Sequence, residues 1–302
     1  MGEPLRIVVA ADGRDVAFAV WGDPDGFPVM ALHGTPGCRF NRWPDEELYR
    51  SVGMCLVTHD RAGYGRSSRR RGRNVADDVD DVRLIADELG LEQFGVVGGS
   101  GGGPHSLACA ALLPDRVVRA VCAVGVAPLG SAGLERDAWL AGQDPENVKE
   151  FGWAEAGEDV LTAELESLQA TLLERVAVDP SSFLGDFELS ESDRAQLARP
   201  EVMQIIREAT AEQAVNGVGG WVDDDLAILG PWGFDLGVIT VPVLVRYGKT
   251  DVLVPPAHGD WLAANVPGCV VTIDDVAGHL PAEPAQEIVE NLHWLRDGVT
   301  PG

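Results

Sequence analysis

Short apolar runs alternate with stretches of helical periodicity along the first 129 residues, and this rhythm constrains the fold more than any other feature. The runs at residues 29–32, 55–57, 94–97 and 117–124 are nearly free of polar side chains, as expected for parallel strands that helices cover on both faces. Between them, apolar residues recur at helical spacing, the clearest series being Val75, Val79, Val82, Ile85 and Leu89. The sequence therefore predicts an α/β fold with a mostly parallel, twisted sheet flanked by helices.

The rhythm stops at residue 130 and resumes near residue 241. In between the pattern is helical only, most clearly at Leu161, Leu165, Leu168 and Leu172. An insertion at the carboxyl edge of a parallel sheet folds over the site at that edge, and its apolar helix faces are expected to be buried against the rim of the site. We therefore predict a core formed by residues 1–129 and 233–302 and a helical cap formed by residues 130–232.

Acidic residues outnumber basic ones by 48 to 23, which gives a net charge of −25. Such a charge argues against nucleic acid and anionic membranes as partners. Residues 130–232 carry 22 acidic and 6 basic residues, and we interpret this excess as a solvated surface in preference to a mouth that attracts cations. Five arginines at positions 66–73 are predicted to form a solvated loop paired with nearby aspartates, with docking onto the acidic cap as the alternative.

The five cysteines are scattered and form no CxxC pair, which favours reduced thiols and a cytoplasmic location. No run is long and apolar enough for a membrane span, and the N-terminal residues lack the pattern of a signal peptide. Metal binding has no support, because the sequence contains no HExxH, CxxC or EF-hand spacing.

The segment Gly98-Gly99-Ser100-Gly101-Gly102 fits the G-x-S-x-G motif and lies between a predicted strand and a predicted helix. In this context the motif forms a tight turn that exposes a strained serine as a nucleophile. A structural glycine turn or a phosphate-binding loop is the alternative, but the run fits neither the dinucleotide pattern nor a P-loop, in which a lysine would follow. Ser100 is therefore the predicted nucleophile.

The loop His33-Gly34-Thr35-Pro36-Gly37 follows the predicted strand at residues 29–32. In this position the backbone N–H groups of Thr35 and Gly101 are expected to bind an oxyanion. Without a nucleophile nearby, an ordinary loop would be the preferred interpretation.

Asp251 and His279 follow the last two predicted strands, and with Ser100 they occur in the order serine, aspartate, histidine that a triad on this type of sheet uses. A carboxylate at the end of a strand is placed to orient a histidine, although a helix cap is the alternative. Asp274 and Asp275 are nearer to His279 in the sequence, but they end a different strand and are predicted to face elsewhere.

Together these motifs resemble the α/β-hydrolase superfamily, in its cap-bearing branch of esterases, peptidases and C–C bond hydrolases. The resemblance covers the predicted core and includes a D-R-x-G-x-G-x-S turn at residues 60–67. It implies the α/β-hydrolase fold, with Ser100, Asp251 and His279 as the catalytic triad and the amides of Thr35 and Gly101 as the oxyanion hole.

The sequence differs at two positions from the pattern of one branch of this superfamily, the proline iminopeptidases. The loop at residues 33–37 is similar to the H-G-G-P-G loop of proline iminopeptidases, but Thr35 replaces its middle glycine, and Gly101 stands where those peptidases have a tryptophan. Both differences argue against a peptidase. A serine at position 100 argues against the dehalogenases and epoxide hydrolases of this fold, which use an aspartate.

We therefore predict a serine hydrolase that cleaves a carboxylic ester of a small, apolar substrate through an acyl-enzyme, with no cofactor. Cleavage of an amide or of a C–C bond is the alternative among enzymes, and a non-catalytic small-molecule receptor is the alternative outside them. His105, five residues after Ser100, is interpreted as a core or surface histidine. Four cap tryptophans are candidates for pocket walls, namely Trp139, Trp153, Trp221 and Trp232.

Overall fold

The structure of the protein is a computed structural model that describes residues 5–301, in which eight strands and eleven α-helices occur. The strands are β1 (Arg6–Val9), β2 (Asp15–Gly22), β3 (Phe27–Leu32), β4 (Met54–His59), β5 (Phe94–Gly99), β6 (Val117–Ala123), β7 (Val243–Gly248) and β8 (Val270–Asp274). The helices are α1 (Glu46–Ser51), α2 (Asp78–Glu88), α3 (Gly103–Leu112), α4 (Arg136–Leu140), α5 (Pro145–Ala156), α6 (Glu158–Val178), α7 (Glu191–Leu197), α8 (Pro200–Gln213), α9 (Gly219–Leu229), α10 (Pro256–Asn265) and α11 (Pro284–Asp297).

The strands form one sheet in the order β1-β2-β4-β3-β5-β6-β7-β8. The pairs β1–β2 and β2–β4 are antiparallel, and the other pairs are parallel. The prediction of a mostly parallel sheet is thus confirmed. The loops that follow β3, β5, β7 and β8 all leave from one edge, because the carboxyl ends of parallel strands lie together.

Helices cover both faces of the sheet. Helices α2, α3 and α10 pack on one face, and α1 and α11 pack on the other. Along β5, Val96 belongs to the first face and Val97 to the second, and along β7 the side chains of Val245 and Leu244 alternate in the same way. Since both faces of the central strands β4, β5 and β7 are mostly buried, these strands show the unbroken apolar runs from which the fold was predicted.

Residues 130–232, the helical segment, contain the six helices α4 to α9. The leucines at helical spacing lie in α6, where Leu161 and Leu165 are fully buried and pack with Trp221 of α9. The other two leucines of the series line a cavity at the carboxyl edge of the sheet, the edge cavity. The expectation that this apolar face is buried against the rim of the site is therefore wrong for Leu161 and Leu165, whose cluster consists of residues of the segment and Tyr64.

The division of the chain into a core and a cap domain stays a prediction, and residues 1–4 and 302, at the ends of the predicted core, lie outside the described residues. In the described part of the chain, no helix is long and apolar enough to cross a membrane. All five cysteines are unpaired.

The arginine cluster at residues 66–73 lies against the helical segment. Arg69 binds both carboxylate oxygens of Asp223, at 2.8 and 3.0 Å, and Arg73 contacts Asp224 at 2.5 Å. Arg70 pairs with the nearby aspartates that the sequence suggested. The solvated loop is thus the wrong interpretation for Arg69 and Arg73, because tertiary packing brings the carboxylates of α9 to them.

Asp224 of α9 is the centre of a buried charge cluster. Its carboxylate is fully buried and lies 2.5 Å from the guanidinium groups of both Arg61 and Arg73. It also accepts hydrogen bonds from the hydroxyls of Tyr64, at 2.9 Å, and Thr35, at 2.7 Å. Burial raises the pKa of the Asp224 carboxyl, but the two arginines outweigh this effect and hold the pKa well below its usual range.

We expect Asp224→Asn to lower the free energy of unfolding by about 3–5 kcal/mol, because it leaves two buried guanidinium groups without their counter-charge. Urea unfolding followed by circular dichroism measures the change. Asp115→Asn, at an exposed position, is the matched control and is expected to change the free energy by less than about 0.5 kcal/mol. Equal losses in the two variants would contradict the role given to Asp224.

Candidate active site

Ser100 stands at the turn between β5 and α3. Its backbone φ is +56°, in the left-handed region that a residue with a side chain rarely adopts. Such a conformation persists only where the surrounding structure imposes it, and strain of this kind concentrates at functional sites. The side chain is partly buried and lines the edge cavity.

Gly98 and Gly102 make this turn possible. A Cβ on Gly98 would collide with the carbonyl oxygen of Gly102, and a Cβ on Gly102 would collide with the carbonyl oxygens of Leu32 and His33. The loop after β3 therefore lies directly against the start of α3. Glycine is required at position 98 because a side chain would collide with the turn itself, and at position 102 because a side chain would separate the two loops.

Asp251 and His279 meet at the same edge of the sheet. Asp251 follows β7 and is 3% exposed, and its Oδ2 lies 2.8 Å from Nδ1 of His279 in the loop after β8. The other carboxylate oxygen accepts hydrogen bonds from the amides of Leu253 and Val254, at 2.8 and 2.9 Å. A ring that donates from Nδ1 to this fixed carboxylate presents Nε2 as an acceptor.

The carboxylate also changes the basicity of the ring. Burial lowers the pKa of His279, but the charge and the hydrogen bond of Asp251 outweigh burial, so the pKa lies above its usual value. The two aspartates nearer in sequence have other partners, although Asp274 lines the edge cavity and the prediction that it faces elsewhere is wrong. Asp274 accepts from two amides of its own loop, and Asp275 pairs with Lys249 at 2.5 Å.

The loop after β3 is held in place by Arg61, the arginine of the D-R-x-G-x-G-x-S turn. Its guanidinium donates to the carbonyl oxygens of His33, at 2.6 Å, and Gly34, at 3.0 Å. Its backbone amide donates to Nε2 of His33 at 3.0 Å, so the ring donates from Nδ1 to the carbonyl of Gly34 at 2.8 Å. Burial and the charge of Arg61 hold the pKa of His33 well below its usual value, which keeps the ring neutral.

Thr35 and Gly101, the predicted oxyanion donors, are adjacent. A Cβ on Gly101 would lie 3.2 Å from the backbone nitrogen of Thr35 and would collide with the Thr35 side chain, whose hydroxyl is held by Asp224. On the same loop, a Cβ on Gly34 would lie 3.3 Å from Cβ of Ser100. In the described part of the chain the Thr35 amide donates to no protein acceptor, so it stays available to a ligand oxygen.

Ser100 and His279 line the edge cavity, which has a volume of about 560 Å³, a size suited to a small ligand. Much of its wall comes from the helical segment, including three of the four candidate tryptophans: Trp139, Trp153 and Trp221. Trp232 lies elsewhere, with its ring 5.9 Å from that of Phe234. Among residues 5–301, no cluster of three His, Cys, Asp or Glu side chains is arranged to hold a metal ion.

Two carboxyl groups that the sequence reasoning missed also line the edge cavity. Burial raises the pKa of both Glu150, in α5, and Asp225, in α9, and the charge of Glu150 raises that of Asp225 further. The indole N–H of Trp221 donates to Glu150 at 2.7 Å. Both carboxyl groups therefore hold a proton more readily than an exposed carboxyl group does. The run of three aspartates at positions 223–225 is the sequence feature that could have pointed to Asp225, but it does not indicate which of the three side chains lines the cavity.

A third missed residue is Asp193, at the start of α7. Its carboxylate accepts hydrogen bonds from the backbone amides of His279, at 3.1 Å, and Leu280, at 2.7 Å. The S-x-x-D pattern that begins at Ser190 predicts a helix N-terminus here, but it contains no sign of a contact with a loop 86 residues away.

Comparison with known proteins places this geometry in a family. Residues 28–283 match the family model described as alpha/beta hydrolase fold. The chain is 28% identical over 286 residues to a proline iminopeptidase of Neisseria gonorrhoeae, an alignment that covers 87% of this chain and 86% of that protein. It is 33% identical over 128 residues to a non-heme chloroperoxidase of Streptomyces lividans, covering 41% of this chain and 46% of the chloroperoxidase, which is less than half of its length.

The fold itself recurs in solved structures. An esterase of Exiguobacterium antarcticum is similar with a TM-score of 0.63 at 20% identity, over 97% of this chain and 98% of that one. At this level of identity the likeness shows a shared fold. Since the family model spans most of the sequence, from β3 to the residue before α11, this chain belongs to the α/β-hydrolase family and is a hydrolase enzyme.

Proposed function

We propose that this hydrolase cleaves a carboxylic ester of a small, apolar substrate through an acyl-enzyme. The observation that carries the proposal is the arrangement around one cavity, where Ser100 occupies a strained turn and His279 is hydrogen-bonded to Asp251. This arrangement suits acyl transfer, because a serine hydroxyl is a weak nucleophile that needs a base, and the base needs a group that orients it.

In the proposed reaction, Oγ of Ser100 attacks the ester carbonyl while Nε2 of His279 removes the hydroxyl proton. Asp251 stabilises the imidazolium that forms. The imidazolium then protonates the leaving alcohol, and the acyl group stays on Ser100. A water molecule, deprotonated by His279, attacks the acyl carbonyl. The imidazolium then returns this proton to Oγ of Ser100 as the acid leaves, which restores the free serine and the neutral histidine.

The amides of Thr35 and Gly101 are the proposed oxyanion donors. Each tetrahedral intermediate concentrates a negative charge on one oxygen, and donors that are already in place stabilise it without reorganisation. The contacts from Arg61 and Asp224 support this role, because they fix the conformation of the loop that carries Thr35. The N-terminus of α3 lies just after Ser100, and the positive end of the helix dipole there also stabilises the negative charge of the intermediate.

The walls of the edge cavity support an apolar substrate. Side chains of the helical segment such as Phe151, Trp153 and Ile228 line it, and the segment acts in this proposal as a cap that excludes water. The charge of the Glu150 carboxylate, which raises the pKa of Asp225, also disfavours substrates that carry a carboxylate.

An aminopeptidase is the second candidate, because the chain is similar to a proline iminopeptidase over most of its length. The contact between Thr35 and Gly101 favours the ester, since the Thr35 side chain occupies the space into which a tryptophan at position 101 would project. Parallel assays with p-nitrophenyl butyrate and proline p-nitroanilide decide between the two. Faster turnover of the anilide would replace the ester proposal by the peptidase.

We expect Ser100→Ala and His279→Ala each to lower ester turnover by roughly 10⁴-fold, because the nucleophile and its base act as a unit. Initial rates with p-nitrophenyl butyrate measure the loss, and a fluorophosphonate probe should label the wild-type protein but not Ser100→Ala. His293→Ala, at an exposed position of α11, is the matched control. Wild-type labelling of the Ser100 variant would point to a non-catalytic role for this serine.

We expect Asp251→Asn to lower kcat by about 10⁴-fold, because an amide in place of the carboxylate no longer holds the ring in the productive tautomer. Asp274→Asn is the matched control, since Asp274 is also a carboxylate at the end of a neighbouring strand but accepts only from amides of its own loop. If Asp274→Asn lost more activity than Asp251→Asn, the acid would have to be reassigned.

We expect Trp153→Ala to favour longer acyl chains, because it removes an indole from the cavity wall. The ratio of kcat/KM for p-nitrophenyl octanoate to that for the butyrate should rise about tenfold, the scale of one or two methylenes in an apolar pocket. Trp261→Ala, in α10 and outside this cavity, should leave the ratio unchanged. An unchanged ratio in Trp153→Ala would argue against a cap wall that selects substrate size.

A further inference from the structure

The loop that carries His279 is attached to the helical segment through one buried carboxylate. Asp193, in the first turn of α7, is 1% exposed. Its Oδ2 accepts from the amide of His279 at 3.1 Å, and its Oδ1 accepts from the amide of Leu280 at 2.7 Å. Two successive backbone amides are therefore bound by the two oxygens of one side chain.

The surroundings of Asp193 are shaped for this contact. The hydroxyl of Ser190, the N-cap of α7, donates to Oδ2 at 3.0 Å and accepts from the Asp193 amide. Gly278 precedes the histidine, and a Cβ on Gly278 would collide with the Asp193 carboxylate. The close approach of α7 to the loop thus requires both the aspartate and the glycine.

We propose that Asp193 is a positioning residue for the hydrolytic reaction: it holds the backbone of the loop so that the His279 ring reaches the proposed nucleophile. The inference rests on the proposed function of Ser100 and His279. It assigns to the helical segment a part in building the site, beyond forming the wall of a cavity.

The contact has two physical consequences. The first is geometric, because the hydrogen bonds to the amides of His279 and Leu280 fix the backbone from which the imidazole projects. Small displacements of a catalytic group lower the reaction rate strongly. The second is electrostatic. The carboxylates of Asp251, from the loop after β7, and of Asp193, from α7, both raise the pKa of His279.

Asp193→Asn separates this role from a merely structural one. An asparagine keeps the size of the side chain, but it turns one acceptor into a donor that faces an amide and it removes the charge. We expect kcat/KM for p-nitrophenyl butyrate to fall by about 10²-fold at the pH optimum. Removing the negative charge lowers the pKa of His279, so the base stays deprotonated to lower pH and the acid limb of kcat/KM moves to lower pH.

Gln196→Ala is the matched control. Gln196 lies in the same helix and donates to the carbonyl of Ala282, in the same loop, at 2.9 Å, but it carries no charge. Its loss loosens the same interface and should leave the acid limb where the wild type has it. A wild-type kcat/KM and an unmoved acid limb in Asp193→Asn, or an equal shift of the limb in Gln196→Ala, would overturn the proposal.

Asp193→Glu tests the geometry alone and keeps the proposal open to refutation if the asparagine variant does not fold. A glutamate retains the charge, but the extra methylene displaces the carboxylate from the two amides. We expect kcat/KM to fall while the acid limb stays near that of the wild type. Wild-type kcat/KM in a folded Asp193→Glu variant would show that the anchoring does not matter.

NMR titration of the imidazole resonances distinguishes failure of this inference from failure of the proposed function, because it needs no substrate. The His279 signal is identified by its absence in His279→Gln. A lower pKa of His279 in Asp193→Asn than in the wild type and in Gln196→Ala supports the coupling even if no ester is cleaved. An equal pKa in all three proteins contradicts it, whatever the activity.

Discussion

The carboxylate of Asp224 is the interaction on which the association of the helical segment with the sheet depends. It pairs with both Arg61, in the turn after β4, and Arg73, before α2, and all three groups are removed from water. Removing one partner of a buried ion pair is strongly destabilising, because it leaves a buried charge without compensation. Because the same carboxylate accepts a hydrogen bond from the hydroxyl of Thr35, α9 also contributes to holding the loop after β3.

A second constraint is the close packing of backbone at the carboxyl edge of the sheet. The turn after β5 is so tight that Gly98 leaves no room for a Cβ, and the loop after β3 approaches so closely that Gly102 leaves none either. The left-handed conformation of Ser100 costs about 1–3 kcal/mol, and the surrounding contacts must supply it. The strained conformation of Ser100 is therefore maintained by the same tertiary packing that brings the loop of Thr35 beside the serine.

The acidity of the helical segment has more than one physical origin. Several of its carboxylates are solvated, as a surface interpretation of the net charge implies. Asp223 and Asp224 bind arginines of the core, however, and Asp193 binds the amides of the loop after β8. Glu150 and Asp225 line the edge cavity. In this protein part of the acidic excess serves to attach the segment to the sheet and to shape the cavity.

The order of strands and helices and the identity of the candidate reacting groups were determined by the sequence itself, because apolar periodicity and a serine flanked by glycines are local properties. That is why the parallel sheet could be predicted, and why Ser100, Asp251 and His279 could be selected at the ends of strands. The sequence could not separate Asp193, Asp224 and Asp225 from the other acidic residues, and it misjudged the arginine loop. The groups that these carboxylates contact lie tens of residues or more away along the chain. Tertiary packing therefore decided which carboxylates are buried and whether each one binds an arginine, binds a backbone amide or lines the cavity.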